Sequence, residues 1–174
     1  MYQDNCDWVV NKMKVLKTER ISFEKELLKD ALEKMDDQVT YDIQSLIYYP
    51  YLFHEFKVEK RGLINRVGQK VGCTIDGMNK IGALVDAAPE FIYTSIKERN
   101  IMKSSTDKSE AMKIAEQFLF ESIYSRMKIL KMPTLKLQRQ EEFYRPYWIV
   151  KGIKEKRAPF YLTVDAVTGK YHPI

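Results

Sequence analysis

Three residues of this chain have the chemistry of a covalent catalytic group: Cys73, His54 and Asp76. A thiol beside an imidazole that is itself oriented by a carboxylate is an arrangement for nucleophilic catalysis, provided the three meet at hydrogen-bond distance. All three fall in or beside strand-like segments, so adjacent strands could bring them together. Against this, His54 alternates with apolar neighbours and reads as a satisfied, half-buried histidine, and His172, the other histidine, lies near the C-terminus. Neither has a cysteine, histidine or carboxylate at a recognised metal spacing, so no metal site is expected. Gly62, Gly68 and Gly72 fit neither a P-loop nor a dinucleotide fingerprint, and no cofactor is expected. The chain therefore reads as a non-enzymatic protein, with an unrecognised small enzyme as the last alternative.

The second candidate chemistry is recognition. Tyr144, Arg145, Tyr147, Trp148, Lys151 and Lys154 interleave aromatic and basic side chains, with Lys156 and Arg157 just beyond. Net charge is +5, and all of it is local: residues 1–130 carry 20 basic and 20 acidic side chains, residues 131–174 nine and four. Tyrosine and tryptophan are common anchors of protein interfaces, so the first reading is a partner-binding surface on a regulatory module. The same aromatics beside the same bases would also stack and neutralise a nucleic acid, which is the alternative. A structural explanation competes with both, because Tyr49, Tyr51 and Tyr147 at alternating strand positions also suit inter-unit packing.

Positioning these residues requires helices and strands that the sequence marks in turn. Ser22 is placed to cap a helix over Phe23–Met35, where Leu28, Leu32 and Met35 recur at helical spacing. Trp8 to Ile21 fits neither period cleanly and reads either as an extension of that helix or as a separate segment. From Tyr41 to Glu59 the pattern becomes β-branched and aromatic, with Ile47, Tyr49, Tyr51, Phe53 and Glu55 on one side of a pleat and Tyr48, Leu52, His54 and Phe56 on the other. Pro50 cannot donate to a ladder, which predicts a strand start, a bulge or a free edge there. Lys60 to Gly68 reads as a loop, Val71–Ile75 and Ile81–Val85 as short strands about an Asp76-Gly77 turn, and Phe91 to Met102 is left without assignment.

Asp107 with Glu110 resembles a capping pair for a second helix, whose apolar stripe is Ala111, Ile114, Ala115, Phe118, Leu119, Ile123, Met127 and Leu130, stopped by Pro133. Strands are expected at Leu135–Gln140, Tyr147–Lys154 and Phe160–Asp165, with Lys156 to Pro159 as a hairpin connection.

Two stretches of the chain echo each other. Tyr48-Tyr49-Pro50-Tyr51 followed by Ile75-Asp76-Gly77-Met78-Asn79 is matched by Tyr144-Arg145-Pro146-Tyr147 followed by Val164-Asp165-Ala166-Val167-Thr168-Gly169. Tyr51 and Asp76 are 25 residues apart and Tyr147 and Asp165 18, the difference falling in the Lys60–Gly68 loop, where insertion costs little. The pattern predicts an α+β protein of two tandem helix-plus-antiparallel-meander units, residues 1–100 and 101–174, formed by internal duplication. Asp76 and Asp165 are expected to clamp turns by accepting backbone N–H bonds, with Gly169 at a positive φ.

Residues 107 to 171 carry a family resemblance. The helix from Asp107 through Ala115 and the Val164-Asp165-Ala166-Val167-Thr168-Gly169 signature are similar to a PepSY-type domain, and the first half resembles a more degenerate copy. The resemblance implies a helix followed by antiparallel strands, a role in binding or restraining another protein, and no catalytic residues. Such domains are commonly exported. This sequence begins without a basic, then apolar, leader, and no apolar run approaches the roughly 18 to 20 residues of a membrane span. A cytoplasmic, soluble protein is expected, with Cys6 and Cys73 as buried or incidental thiols and a homodimer compatible with its strand edges.

Overall fold

The computed structural model describes residues 12–59, 68–127 and 134–174, with backbone alone for 123–127. It is an α+β protein: among the described residues, two helices lie on one face of a mostly antiparallel, eight-stranded sheet. The elements in chain order are β1 (Met13–Thr18), α1 (Lys25–Met35), β2 (Val39–Glu59), β3 (Lys70–Asp76), β4 (Gly82–Val85) and β5 (Ile92–Lys97), followed by α2 (Lys108–Met127), β6 (Thr134–Lys154), β7 (Phe160–Asp165) and β8 (Tyr171–Pro173). Strand order is β4-β3-β2-β6-β1-β5, with β7 on the outer side of β6 and β8 on β7.

The spine is the β2–β6 ladder, in which two strands of 21 residues run antiparallel from Val39↔Lys154 to Glu59↔Thr134. Two separate strands were expected where β6 runs unbroken, and each Tyr-x-Pro-Tyr lies inside a strand rather than at its entry. The proline carbonyls explain how this is tolerated. Pro50 O accepts from Gly77 N at 3.0 Å and Pro146 O from Ala166 N at 3.0 Å, so the N and O of each proline point outward, just past the ends of β3 and β7. The missing N–H therefore falls where no ladder bond is needed, and the β2–β6 ladder is untouched.

Both helices cover the same face. Leu28 and Leu32 of α1 pack on Val39, Tyr41 and Ile43 of β2 and on Val150, Leu162 and Val164 of β6 and β7. Ala111, Ala115 and Leu119 of α2 pack on Leu52, Phe56, Cys73 and Ile75 of β2 and β3. Each helix thus seals the hairpin that belongs to the other half of the chain, and both cores cross residue 100. A third cluster, Tyr48, Ile96 and Tyr144, does the same between them.

Local chemistry corrects several sequence expectations. α1 starts at Lys25 with Glu24 at its cap position and no side-chain cap bond. Ser22 instead donates its backbone N–H to Ala166 O at 2.9 Å, as does Phe23. The unassigned stretch from Phe91 contains β5 and a single 3-10 turn, and the ambiguous one before Ile21 contains β1; the two pair from Met13↔Lys97 to Thr18↔Ile92. Asp107 Oδ1 caps α2 by accepting from Glu110 N at 2.8 Å, but the Glu110 carboxylate turns away to Lys80 at 2.6 Å instead of closing a capping box. Trp8, the loop at 60–67, Leu130 and Pro133 lie outside the described residues. No described helix is long and apolar enough to cross a membrane.

Candidate functional site

The pleat assigns side chains to faces, and this decides which candidate residues can act together. Cys73 and His54 are directly opposed on β3 and β2, on the helix-covered face. Both are fully buried. Burial pushes the thiol up to about 12 and the imidazole down to about 4, so each is held in its neutral, unreactive form. His54 Nε2 lies 2.9 Å from the amide nitrogen of Gln140, which also donates to Lys108 O at 2.7 Å, tying β2 and β6 to the start of α2. Asp76 opposes Tyr51 on the other face. Cys73, His54 and Asp76 therefore do not form a nucleophile, base and orienting acid, and among the described residues no three acids, histidines or cysteines are grouped to hold a metal.

The aromatic and basic residues of β6 are likewise divided between faces. Tyr144 is buried in the third cluster, Trp148 packs against the α1 core and donates from Nε1 to Phe23 O at 2.8 Å, and Lys154 pairs with Asp36 at 3.0 Å. Arg145, Tyr147 and Lys151 alternate with these and point to the helix-free side. Arg145 Nη2 lies 3.0 Å from Asp165 Oδ2, and its Nε lies 3.4 Å from Glu19 Oε2. Lys151 stands opposite Asp42. Two bases of the last quarter thus meet acids from the first half of the chain, Arg145 with Glu19 and Lys154 with Asp36.

The helix-free face has a distinct centre. Tyr49 of β2 stands opposite Arg145 of β6 at the middle of the ladder. Two residues further along each strand, Tyr51 and Tyr147 join hydroxyl to hydroxyl at 3.1 Å, although they are 96 residues apart in sequence. Tyr49 lies 5.4 Å from Tyr51 and 6.1 Å from Tyr147 between ring centroids; Phe143 stacks on Tyr51 at 5.7 Å, and Phe91 lies tilted against Phe143 at 4.8 Å. The tyrosines are half-buried, and desolvation raises all three phenol pKa values, so each remains a neutral donor.

An acidic turn flanks the strip on each side. Asp76 Oδ1 accepts from Met78 N, Asn79 N and Tyr49 Oη, each at 2.8 Å. Burial alone would raise its pKa, but these hydrogen bonds hold the carboxyl below its ordinary value. Asp165 Oδ1 accepts from Val167 N at 2.9 Å and its Oδ2 from Thr168 Oγ1 at 2.7 Å, while Arg145 takes the place of the tyrosine. The turn-clamp expectation describes both. Glu19 was not expected: burial pushes its carboxyl up, against the pull of Arg145 and with the help of Asp165. No sequence pattern marks it, because β1 reaches β6 only through the parallel Thr18↔Tyr144 bridge.

Scans against protein-family models, curated proteins and solved structures give no match to this chain.

Proposed function

We propose that this protein is a non-enzymatic binding module, built from two PepSY-like units that arose by duplication, and that it takes another protein on its helix-free sheet face. The strip from Phe143 through Tyr51, Tyr49 and Tyr147 carries this reading, because it places half-buried tyrosines on a face that no described helix covers. A solvated sheet face ordinarily alternates to polar residues, whereas tyrosine combines large contact area with a hydrogen-bonding tip and little rotamer entropy. The duplication is supported by the order helix, long strand and two shorter strands in both halves, and by the equivalent placing of Asp76 and Asp165. The nucleic-acid alternative is the weaker one, since Arg145 and Lys154 are ion-paired and the six expected contact residues are split between two faces.

A photoreactive amino acid placed at Tyr161, which opposes Lys151 on the helix-free face, should crosslink a protein partner in lysate at high salt after nuclease treatment. The same group at Leu27, on the solvent side of α1, should give no such product. Equal crosslinking from both positions, or products lost to nuclease, would overturn the reading.

A further inference from the structure

The antiparallel β1–β5 pair ends the described sheet. β5 is the last strand in the sheet order, and among the described residues its outer side has no neighbour. A six-residue edge, Ile-Tyr-Thr-Ser-Ile-Lys, rich in strong β-formers and lacking proline, is what edge protection normally avoids. The other ends are blunted: β4 has four residues, and β8 has three and closes on Pro173.

Two further observations concern the same strand pair. Its helix-free face exposes Tyr93 at 74%, Val15 at 64% and Met13 at 51%, while Leu16 and Ile96 on the opposite face pack inward. The register sets Lys17 beside Tyr93 and Lys97 beside Met13, so the apolar patch is bounded by bases. Neither strand contains an acidic residue. Lys17 is neutralised by Glu141, but Lys12, Lys14, Lys97 and Arg99 form no ion pair among the described residues, and Glu98 is the one acid directly adjoining the edge.

We infer that the outer edge of β5 accepts an extended, acidic segment of a partner polypeptide as an added strand. Backbone hydrogen bonds to the open edge would supply sequence-independent affinity, and alternate side chains would supply the choice of partner. On the exposed face the added strand would set an apolar residue beside Tyr93 and an acidic one beside Lys97. Unpaired lysines favour an acid there and repel a base, and they speed encounter. The inference rests on the binding-module reading and names where, and with what chemistry, the partner begins to bind.

The test uses the whole chain, isotope-labelled, with a short capped peptide of threonines and valines that carries a phenylalanine and, four residues away on the same face, a glutamate, to match Tyr93 and Lys97. Backbone amide shifts should concentrate on residues 92–97. The double variant Lys14→Glu/Lys97→Glu, shown to be folded by circular dichroism, should weaken binding about tenfold or more at low salt. Tyr93→Ser should weaken it without touching the core, and a peptide methylated on its backbone nitrogens should not bind. A lysine-bearing peptide that binds equally well, or no shift at β5 with any peptide, would overturn the edge site. Shifts at Tyr49, Tyr51 and Tyr147 instead would also overturn it while leaving the binding-module reading standing; that reading falls separately, by the crosslinking result.

Discussion

The turn after β3 and the turn after β7 are built to one plan and stabilised by different chemistry. In each, an aspartate folds the turn, its backbone N–H donates to a residue five positions on (Asp76 N to Ile81 O, Asp165 N to Lys170 O), and the next residue donates to a proline of the long strand. The carbonyl of that next residue then receives the lead-in to a helix: Gly77 O accepts from Ser105 N at 2.9 Å, and Ala166 O from Ser22 N and Phe23 N. The halves differ in the groups that complete the plan. The first uses a neutral phenol, Tyr49, and puts Lys80 at φ 61; the second uses a guanidinium, Arg145, and puts Gly169 at φ 73. One backbone geometry can thus be satisfied by a hydrogen bond or by an ion pair, and the two respond differently to substitution because an unpaired charge costs more to bury than an unpaired hydroxyl.

The largest effect should come from Asp165→Ala, which removes the turn bonds and leaves Arg145 half-buried with Glu19 alone. Loss of stability of about 3 kcal/mol is expected from chemical denaturation. Asp76→Ala leaves only neutral donors behind and should cost about 2 kcal/mol; a loss equal to or greater than that at Asp165 would break the comparison.

Exchanging the chemistry sharpens it. Arg145→Tyr should destabilise by about 2 kcal/mol because Glu19 loses its counter-charge, and adding Glu19→Gln should restore part of that loss, a coupling readable from a double-mutant cycle.

Acid should expose the contribution of His54, whose imidazole is moved from 6.5 to about 4. The unfolded chain takes up a proton below about pH 6.5 while the folded chain resists until about pH 4, so the unfolded state gains protons and stability falls as pH drops through that window. Thermal midpoints should decline between those values, and His54→Gln should flatten the decline.

The smallest effect concerns the fourth residue after each aspartate. Lys80→Gly should stabilise by about 0.5 kcal/mol, relieving a left-handed conformation at the loss of an exposed pair with Glu110. Gly169→Ala should destabilise by about 1 kcal/mol, since a Cβ there would stand 2.8 Å from Phe23 Cζ as well as requiring positive φ.

Much of this was legible from short-range pattern. The alternation from Ile47 to Phe56 assigned faces correctly, the Val-Asp-Ala-Val-Thr-Gly signature gave the turn, and the apolar stripe of α2 gave its buried side through Ala111, Ala115 and Leu119. The continuity of β6 was not legible, because whether Pro146 interrupts a strand depends on which side its nitrogen faces. The roles of Tyr144, Trp148 and Lys154 were not legible either, since their opposition to Arg145, Tyr147 and Lys151 matters only once α1 is seen to cover one face. Glu19 carried no local signal at all.

The sequence by itself determined the α+β class, the turn chemistry at Asp76 and Asp165, and the alternation that makes one sheet face apolar enough to receive helices. These depend on contacts within a few residues, or on periodicities that any helix or strand must obey. Only the tertiary structure decided that each helix covers the other half's hairpin, that Arg145 and Lys154 meet N-terminal acids, and that β5 ends the sheet among the described residues. Those outcomes rest on pairings between residues far apart in the chain, such as Tyr51 with Tyr147 and Arg145 with Glu19, where burial and register fix the partner and no local pattern records it.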